Sequence, residues 1–179
     1  MTFDNEKKTF LAKLDKSKKG SIDEKIIPLI TVFNKTSNYY TTSSCSGRVY
    51  LWRGSGKKNE TEWLRVSHDL VDLRFLQINE SGVVWLRLEG MIMHLACRDL
   101  NAANRLLEEV RHLYKKSCIL GASNKIIIEI RGSEFIEMPL YFDGKLLFSG
   151  DISWLVELIN QKMKRMWEKM EKLVFLVSK

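Results

Sequence analysis

The chain has 179 residues, 45% of them hydrophobic and 28% charged, with a formal net charge of +7. That length suits one domain with a real core, and the ordinary composition excludes collagen-like and disordered classes. No apolar run reaches the roughly 20 residues of a membrane span, and residues 1–25 hold no apolar stretch of the secretory kind, so the expectation is a cytoplasmic protein with no membrane partner.

Taken in chain order, the spacing of Phe3, Phe10, Leu11 and Leu14 predicts a helix over residues 3–19, stopped by Gly20. Ser21 and Glu24 form a capping box for a second helix to about residue 33, kinked or restarted at Pro28. Residues 39–44 read as extended. Residues 49–53 and 63–67 predict a hairpin across Gly54-Ser55-Gly56 and the polar residues after it. A short helix over 69–77 follows, then a second hairpin, 83–89 with 91–97, around Gly90. Asp99 is the N-cap of a long helix reaching Lys116, with Ala103, Leu106, Leu107, Val110, Leu113 and Tyr114 as its apolar stripe. Residues 125–131, 137–142 and 145–148 read as strands. A last helix runs from Asp151 or Ser153 to about Leu176, with Trp154, Leu155, Ile159, Met166, Met170 and Leu173 on one face. The expected fold is α+β: a single domain over 1–179, one mixed sheet with antiparallel hairpins, helices beside it and no Rossmann fingerprint. A faint repeat, Ser44-Cys45 before Arg53-Gly54 and Ser117-Cys118 before Arg131-Gly132, suggests internal duplication.

The positive charge points to an anionic partner. Nine of the ten arginines lie between Arg48 and Arg131, while the ends of the chain use lysine. Guanidinium forks grip phosphates and carboxylates, so the arginine-rich middle either holds an anion site or pairs with the acids around it. The three cysteines, Cys45, Cys97 and Cys118, form no even set for a disulfide framework, and no CxxC or HxxxH pair offers zinc a site.

The most unusual stretch is Thr41-Thr42-Ser43-Ser44-Cys45-Ser46-Gly47-Arg48. Read as a turn, it either joins two strands or aims several N–H groups at one anion, with Gly47 supplying positive φ and Arg48 closing the clamp. His68 stands at a strand end beside Asp69, placed to act as a base, a hydrogen-bond donor or a cap. His94 shares a strand face with Ile92 and Ala96 and reads as a core histidine. Glu129 and Arg131, two apart on one strand, share a face as an internal ion pair or a site wall.

These residues resemble a known family. Tyr40-Thr41-Thr42-Ser43-Ser44-Cys45-Ser46-Gly47-Arg48 is similar to the motif of the wybutosine-synthesising family that acts third in that tRNA pathway, notably its archaeal stand-alone members. Trp63 with His68, residues 92–100 around His94, Ser117 after the long helix, and the strands Ile128-Glu129-Ile130-Arg131-Gly132 and Glu137-Met138-Pro139-Leu140 continue the match in order. The chain departs from the family at Leu113-Tyr114 and Cys118, where Gly-Phe and Gly are usual.

The resemblance implies a methyltransferase that uses S-adenosylmethionine. It would methylate nitrogen 4 of a 4-demethylwyosine-type base at position 37 of phenylalanine tRNA, the modified guanosine 3′ of the anticodon. His68 is then the candidate catalytic residue. Ser43, Ser44, Cys45, Ser46, Gly47, Arg48, Ser117 and Arg131 are candidates for binding cofactor or substrate, and the Ser-rich segment could hold either the methionyl carboxylate or an RNA phosphate. A non-catalytic module that presents modified tRNA, and a regulatory domain for small anions, are the alternatives.

Overall fold

The computed structural model describes residues 2–12, 22–55 and 60–178. The expected end of the first helix at Gly20 and the capping residue Ser21 lie outside the described residues. Helix α1 covers Phe3–Leu11, opened by Thr2, whose side chain accepts from the Asn5 amide. A 3₁₀ turn over Glu24–Ile26 leads into α2, Ile27–Lys35, with Pro28 in its first turn, where a missing N–H costs nothing. The other helices are α3, Leu73–Leu76, α4, Leu100–Val110, and α5, Ile152–Val177. The strands are β1, Tyr39–Cys45, β2, Arg48–Gly54, β3, Thr61–Ser67, β4, Val83–Glu89, β5, Ile92–Cys97, β6, Cys118–Gly121, β7, Ile126–Arg131, β8, Phe135–Phe142, and β9, Lys145–Leu146.

The α+β class holds, but the strands do not form one mixed sheet. They form a four-stranded sheet, β1-β5-β7-β6, and a five-stranded sheet, β3-β2-β4-β8-β9, and each of the seven pairings among the described residues is antiparallel. The expected hairpin around Gly90 is absent: β4 pairs with β2 and β8, while β5 pairs with β1 and β7. Alternation identified both strands but carried no information about partners. Helix α4 stops six residues short of Lys116, and the unexpected β6 then returns the chain so that β7 runs antiparallel to β5.

Two compact units result, each assembled from separated segments. The first takes Met1–Ser46, Met91–Ser133 and Trp167–Lys179, and with them the four-stranded sheet. Its core is Leu29 and Phe33 of α2, Met93 and Leu95 of β5, Leu106, Leu107 and Val110 of α4, Ile128 and Ile130 of β7, and Met170 and Leu173 of α5, all nearly or fully buried. Asp99 caps α4 as expected, accepting from the Ala102 amide at 2.7 Å.

The second unit takes Gly47–Gly90 and Glu134–Met166, with the five-stranded sheet. Val49, Leu51, Val84, Leu86, Leu88 and Leu140 are buried from the sheet, and Leu155, Ile159, Met163 and Met166 from α5. Trp154, expected on the apolar face of that helix, is instead exposed. Asn160 ties α5 to the connection between β3 and α3, accepting from the Val71 amide at 2.9 Å and donating to its carbonyl at 2.8 Å.

Candidate functional site

One face of the four-stranded sheet carries an unbroken polar row. A β-bulge shifts the register of β1 against β5 between Thr41 and Ser43, so that Ser43 lies opposite His94 and Glu129 lies on its other side in β7. Without the extra residue, strand alternation would have turned Thr42 to this face and Ser43 away from it. Ser43 Oγ is 2.9 Å from His94 Nδ1, and His94 Nε2 is 3.0 Å from Glu129 Oε2. The other Glu129 oxygen faces Arg131 Nη1 at 3.9 Å. The carboxylate is the most sheltered member, its side chain 13% exposed against 25% for His94 and 62% for Arg131. Thr42 anchors the bulge, its hydroxyl donating to the His94 carbonyl at 3.2 Å. Cys45 lies beside Ile92 and Arg131 in the adjacent row, and Cys118 is opposite Glu129.

The same unit holds a recess of about 320 Å³, lined among others by Phe3, Glu6, Tyr40, Ala96, Arg98 and Lys125. Ala96 is two residues from His94 on the same face of β5, so the recess begins about 7 Å from the polar row. Phe3 and Phe10 pack on the Tyr40 ring, with centroids 5.4 and 5.3 Å away. The Tyr40 hydroxyl is buried beside the Glu6 carboxylate and the Lys125 ammonium. Lys125 pairs with Glu6 and holds its carboxyl below the usual range. Arg98 pairs with Asp4, lies 4.8 Å over the Phe3 ring and donates to the Ser37 carbonyl. Burial, with a smaller contribution from Asp99, pushes the Cys97 thiol up to about 12.

The Ser-rich segment is not the turn expected from its composition. Thr41 to Cys45 belongs to β1, which leaves only Ser46 and Gly47 as the link to β2. Ser46 is fully buried, and its amide and hydroxyl both donate to Asp23 Oδ2 at 3.0 Å. Those anion-binding donors therefore already hold a carboxylate of the chain itself. Ser44 lies opposite Met93, on the sheet face away from the polar row.

Gly47 has φ +94°, the positive value the motif implied. In the second unit Arg48 donates from Nε and Nη2 to Glu89 Oε2 at 3.0 and 2.9 Å and lies 4.4 Å over the Trp63 ring. Tyr50 donates to the other Glu89 oxygen at 2.8 Å and stacks on Trp63 at 4.6 Å. Burial, then that bond to Glu89, pushes Tyr50 up to about 12. His68 is also in this unit, with Nδ1 3.1 Å from the Gly47 carbonyl. A carbonyl can only accept, so Nδ1 bears the proton and the lone pair of the neutral ring is on Nε2.

Ser117, in the first unit, is 2% exposed and closes the turn after α4, its hydroxyl donating to the Tyr114 carbonyl at 2.8 Å. The structure thus brings Ser43 and Arg131 together through His94 and Glu129. The apolar neighbours Ile92 and Ala96 suggest a core residue at His94, but its side chain is 25% exposed and bonded at both nitrogens. The polar alternation of Glu129 and Arg131 was visible, but the bulge that delivers Ser43 was not.

Charge separates the two units. The first carries eighteen of the 29 basic and eleven of the 22 acidic side chains, so the whole net charge of +7 belongs to it and the second is neutral. A basic α+β unit with a hydrogen-bonded Ser–His–Glu row beside a recess has the makeup of an enzyme for an anionic substrate. Comparison with known sequences gives the family: residues 5–178 match the methyltransferase family TYW3, and the chain belongs to it. It is 36% identical over 173 residues to the tRNA wybutosine-synthesizing protein 3 homolog of Xenopus laevis, covering 90% of this chain and 69% of that protein. Over 181 residues it is 34% identical to the tRNA(Phe) 7-((3-amino-3-carboxypropyl)-4-demethylwyosine(37)-N(4))-methyltransferase 1 of Pyrococcus horikoshii, covering 96% and 92% of the two chains. The fold is similar to the structure of the PH1069 protein from Pyrococcus horikoshii, with a TM-score of 0.88 and 33% identity over 98% of this chain and 96% of that one.

Proposed function

We propose that this protein methylates nitrogen 4 of a 4-demethylwyosine-type base at position 37 of phenylalanine tRNA, with S-adenosylmethionine as methyl donor. The observation that carries the reading is the family match across residues 5–178, joined by a relative named for this reaction and similar over nearly its full length. The concentration of all net positive charge in the first unit supports a polyanionic substrate. Transfer to a ring nitrogen asks chiefly for positioning and a dry site.

The cofactor, when bound, supplies an electrophilic methyl group on a sulfonium centre. The recess of the first unit offers such a molecule the aromatic rings of Phe3 and Tyr40, and its polar walls, Glu6, Lys125 and Arg98, would have to exchange their present ion pairs for bonds to it. The Ser-rich segment suits its carboxylate less well, because Ser46 already serves Asp23 and Arg48 already serves Glu89. His68, its ring held by the Gly47 carbonyl in the second unit, is kept as the proposed catalytic residue on the strength of the family resemblance.

Calorimetric titration with S-adenosylmethionine, with and without tRNA, tests the reading. Binding of the cofactor is expected. Tight tRNA binding with no cofactor binding in either titration would favour a non-catalytic presenting module, and binding of small phosphates without RNA affinity a regulatory domain.

A further inference from the structure

The polar row on the four-stranded sheet has the connectivity of a proton relay, and we infer that Ser43 receives the proton released when the acceptor nitrogen is methylated, with His94 and Glu129 driving the transfer. The inference rests on the methyl-transfer reading above.

Both ring nitrogens of His94 are engaged, Nδ1 with Ser43 Oγ at 2.9 Å and Nε2 with Glu129 Oε2 at 3.0 Å. A carboxylate only accepts, so in the neutral ring Nε2 carries the proton and Nδ1 accepts from the Ser43 hydroxyl. The ring therefore reaches a ligand only through Ser43. Ser43 is the exposed end of the chain of bonds and Glu129 the sheltered end, so polarity runs from solvent inward to a fixed negative charge. Arg131 balances the second Glu129 oxygen and leaves Oε2 aimed at the ring. The side chains around His94 that could also titrate are Glu129 and Arg131 on β7, Cys45 on β1 and Cys118 on β6.

The step balances as follows. The nitrogen lone pair forms the N–CH₃ bond, and the C–S pair of the sulfonium donor stays on sulfur, leaving a thioether. The acceptor N–H proton passes to Ser43 Oγ as the original hydroxyl proton moves to His94 Nδ1. The resulting imidazolium lies against the Glu129 carboxylate, and solvent later removes its proton. The serine hydroxyl is unchanged over the cycle. Placement supports the role: the row adjoins the recess on the same face of the sheet, in the unit that carries the positive charge. The bulge in β1 is what turns Ser43 to the His94 face.

The test is single-turnover methyl transfer to undermodified phenylalanine tRNA by the full chain carrying Ser43→Ala, Ser43→Thr, His94→Gln or the Ser43→Ala/His94→Gln pair, together with ¹⁵N spectra of the histidine rings. Each of Ser43→Ala and His94→Gln is expected to lower the rate by about 10²-fold or more, with tRNA and cofactor affinity unchanged. The pair should lose little beyond either single variant, because the relay acts as a unit, and Ser43→Thr, which keeps the hydroxyl, should recover most of the rate. A Ser43→Ala variant at the wild-type rate, or fully multiplicative losses in the pair, would overturn the relay. The spectra decide independently of turnover: His94 protonated at Nε2, with an Nδ1 signal that moves in Ser43→Ala, supports it, and an Nδ1-protonated ring overturns it. An inactive wild-type protein with the Nε2-protonated ring would count against the tRNA reaction and leave the hydrogen-bonded row standing.

Discussion

Gly47 shows how a motif residue can be required for backbone reasons. At φ +94° an added Cβ would lie 2.2 Å from Met166 Cε and 3.1 Å from the Glu89 carbonyl oxygen. The methionine end can swing away cheaply, but the backbone conformation cannot be relieved that way. Gly47→Ala is therefore expected to cost about 1–3 kcal/mol, read from the denaturation midpoint, and an unchanged midpoint would contradict the assignment. Ser117 plays a comparable part. Its hydroxyl bond to Tyr114 and the Arg111 bond to its carbonyl close one turn, so Ser117→Ala should cost about 1 kcal/mol and leave the methyl-transfer rate of the folded protein intact. A rate loss larger than the stability loss explains would return Ser117 to the binding site.

At the scale of elements, what the sequence made legible was whatever depends on local period and caps. Strands β4 and β7, the cap of α4 at Asp99 and the extent of α5 follow from alternation, an N-cap residue and a long apolar stripe. Partnership was not legible. The turn chemistry of Gly90 suits a hairpin, yet each flanking strand finds its partners in a different sheet. The same gap hid the site. Ser43, Glu129 and Arg131 each stand out in the sequence, but the register of three strands and one bulge decides that they meet at His94. Burial within β5 also has a chemical consequence. Cys97 is 4% exposed with its thiol pushed up to about 12, whereas Cys45 and Cys118 are only half-buried. A thiol reagent at neutral pH should label Cys45 and Cys118 well before Cys97, and fast labelling of Cys97 in the native protein would contradict its packing.

For the molecule as a whole, the chain passes from one unit to the other after Ser46, Gly90, Ser133 and Met166. Neither unit is a continuous segment, so a single unfolding transition is expected by two probes, and limited proteolysis should release no separately folded half. Alkaline pH should weaken this fold. Tyr39, Tyr50 and Cys97 are each pushed up to about 12, in every case mainly by burial. Their unfolded forms lose protons nearer pH 9 to 10, so above that range the unfolded chain binds fewer protons than the native one and stability falls as pH rises. Tm should decline steadily from about pH 9 towards 12, and a flat profile would show that these groups are less buried than described. The charge asymmetry has its own readout: tRNA affinity should fall steeply with salt, each neutralised phosphate adding about 0.7–0.9 to the log–log slope.

The central claim is that the chain transfers a methyl group to a tricyclic base of tRNA. The most direct measurement is mass analysis of the nucleosides of undermodified phenylalanine tRNA after incubation with the protein and S-adenosylmethionine. The account predicts that the 4-demethylwyosine-type nucleoside gains the mass of one methyl group, at position 37 and only when both protein and cofactor are present. An unaltered nucleoside in a mixture where the protein demonstrably binds both tRNA and cofactor would contradict it.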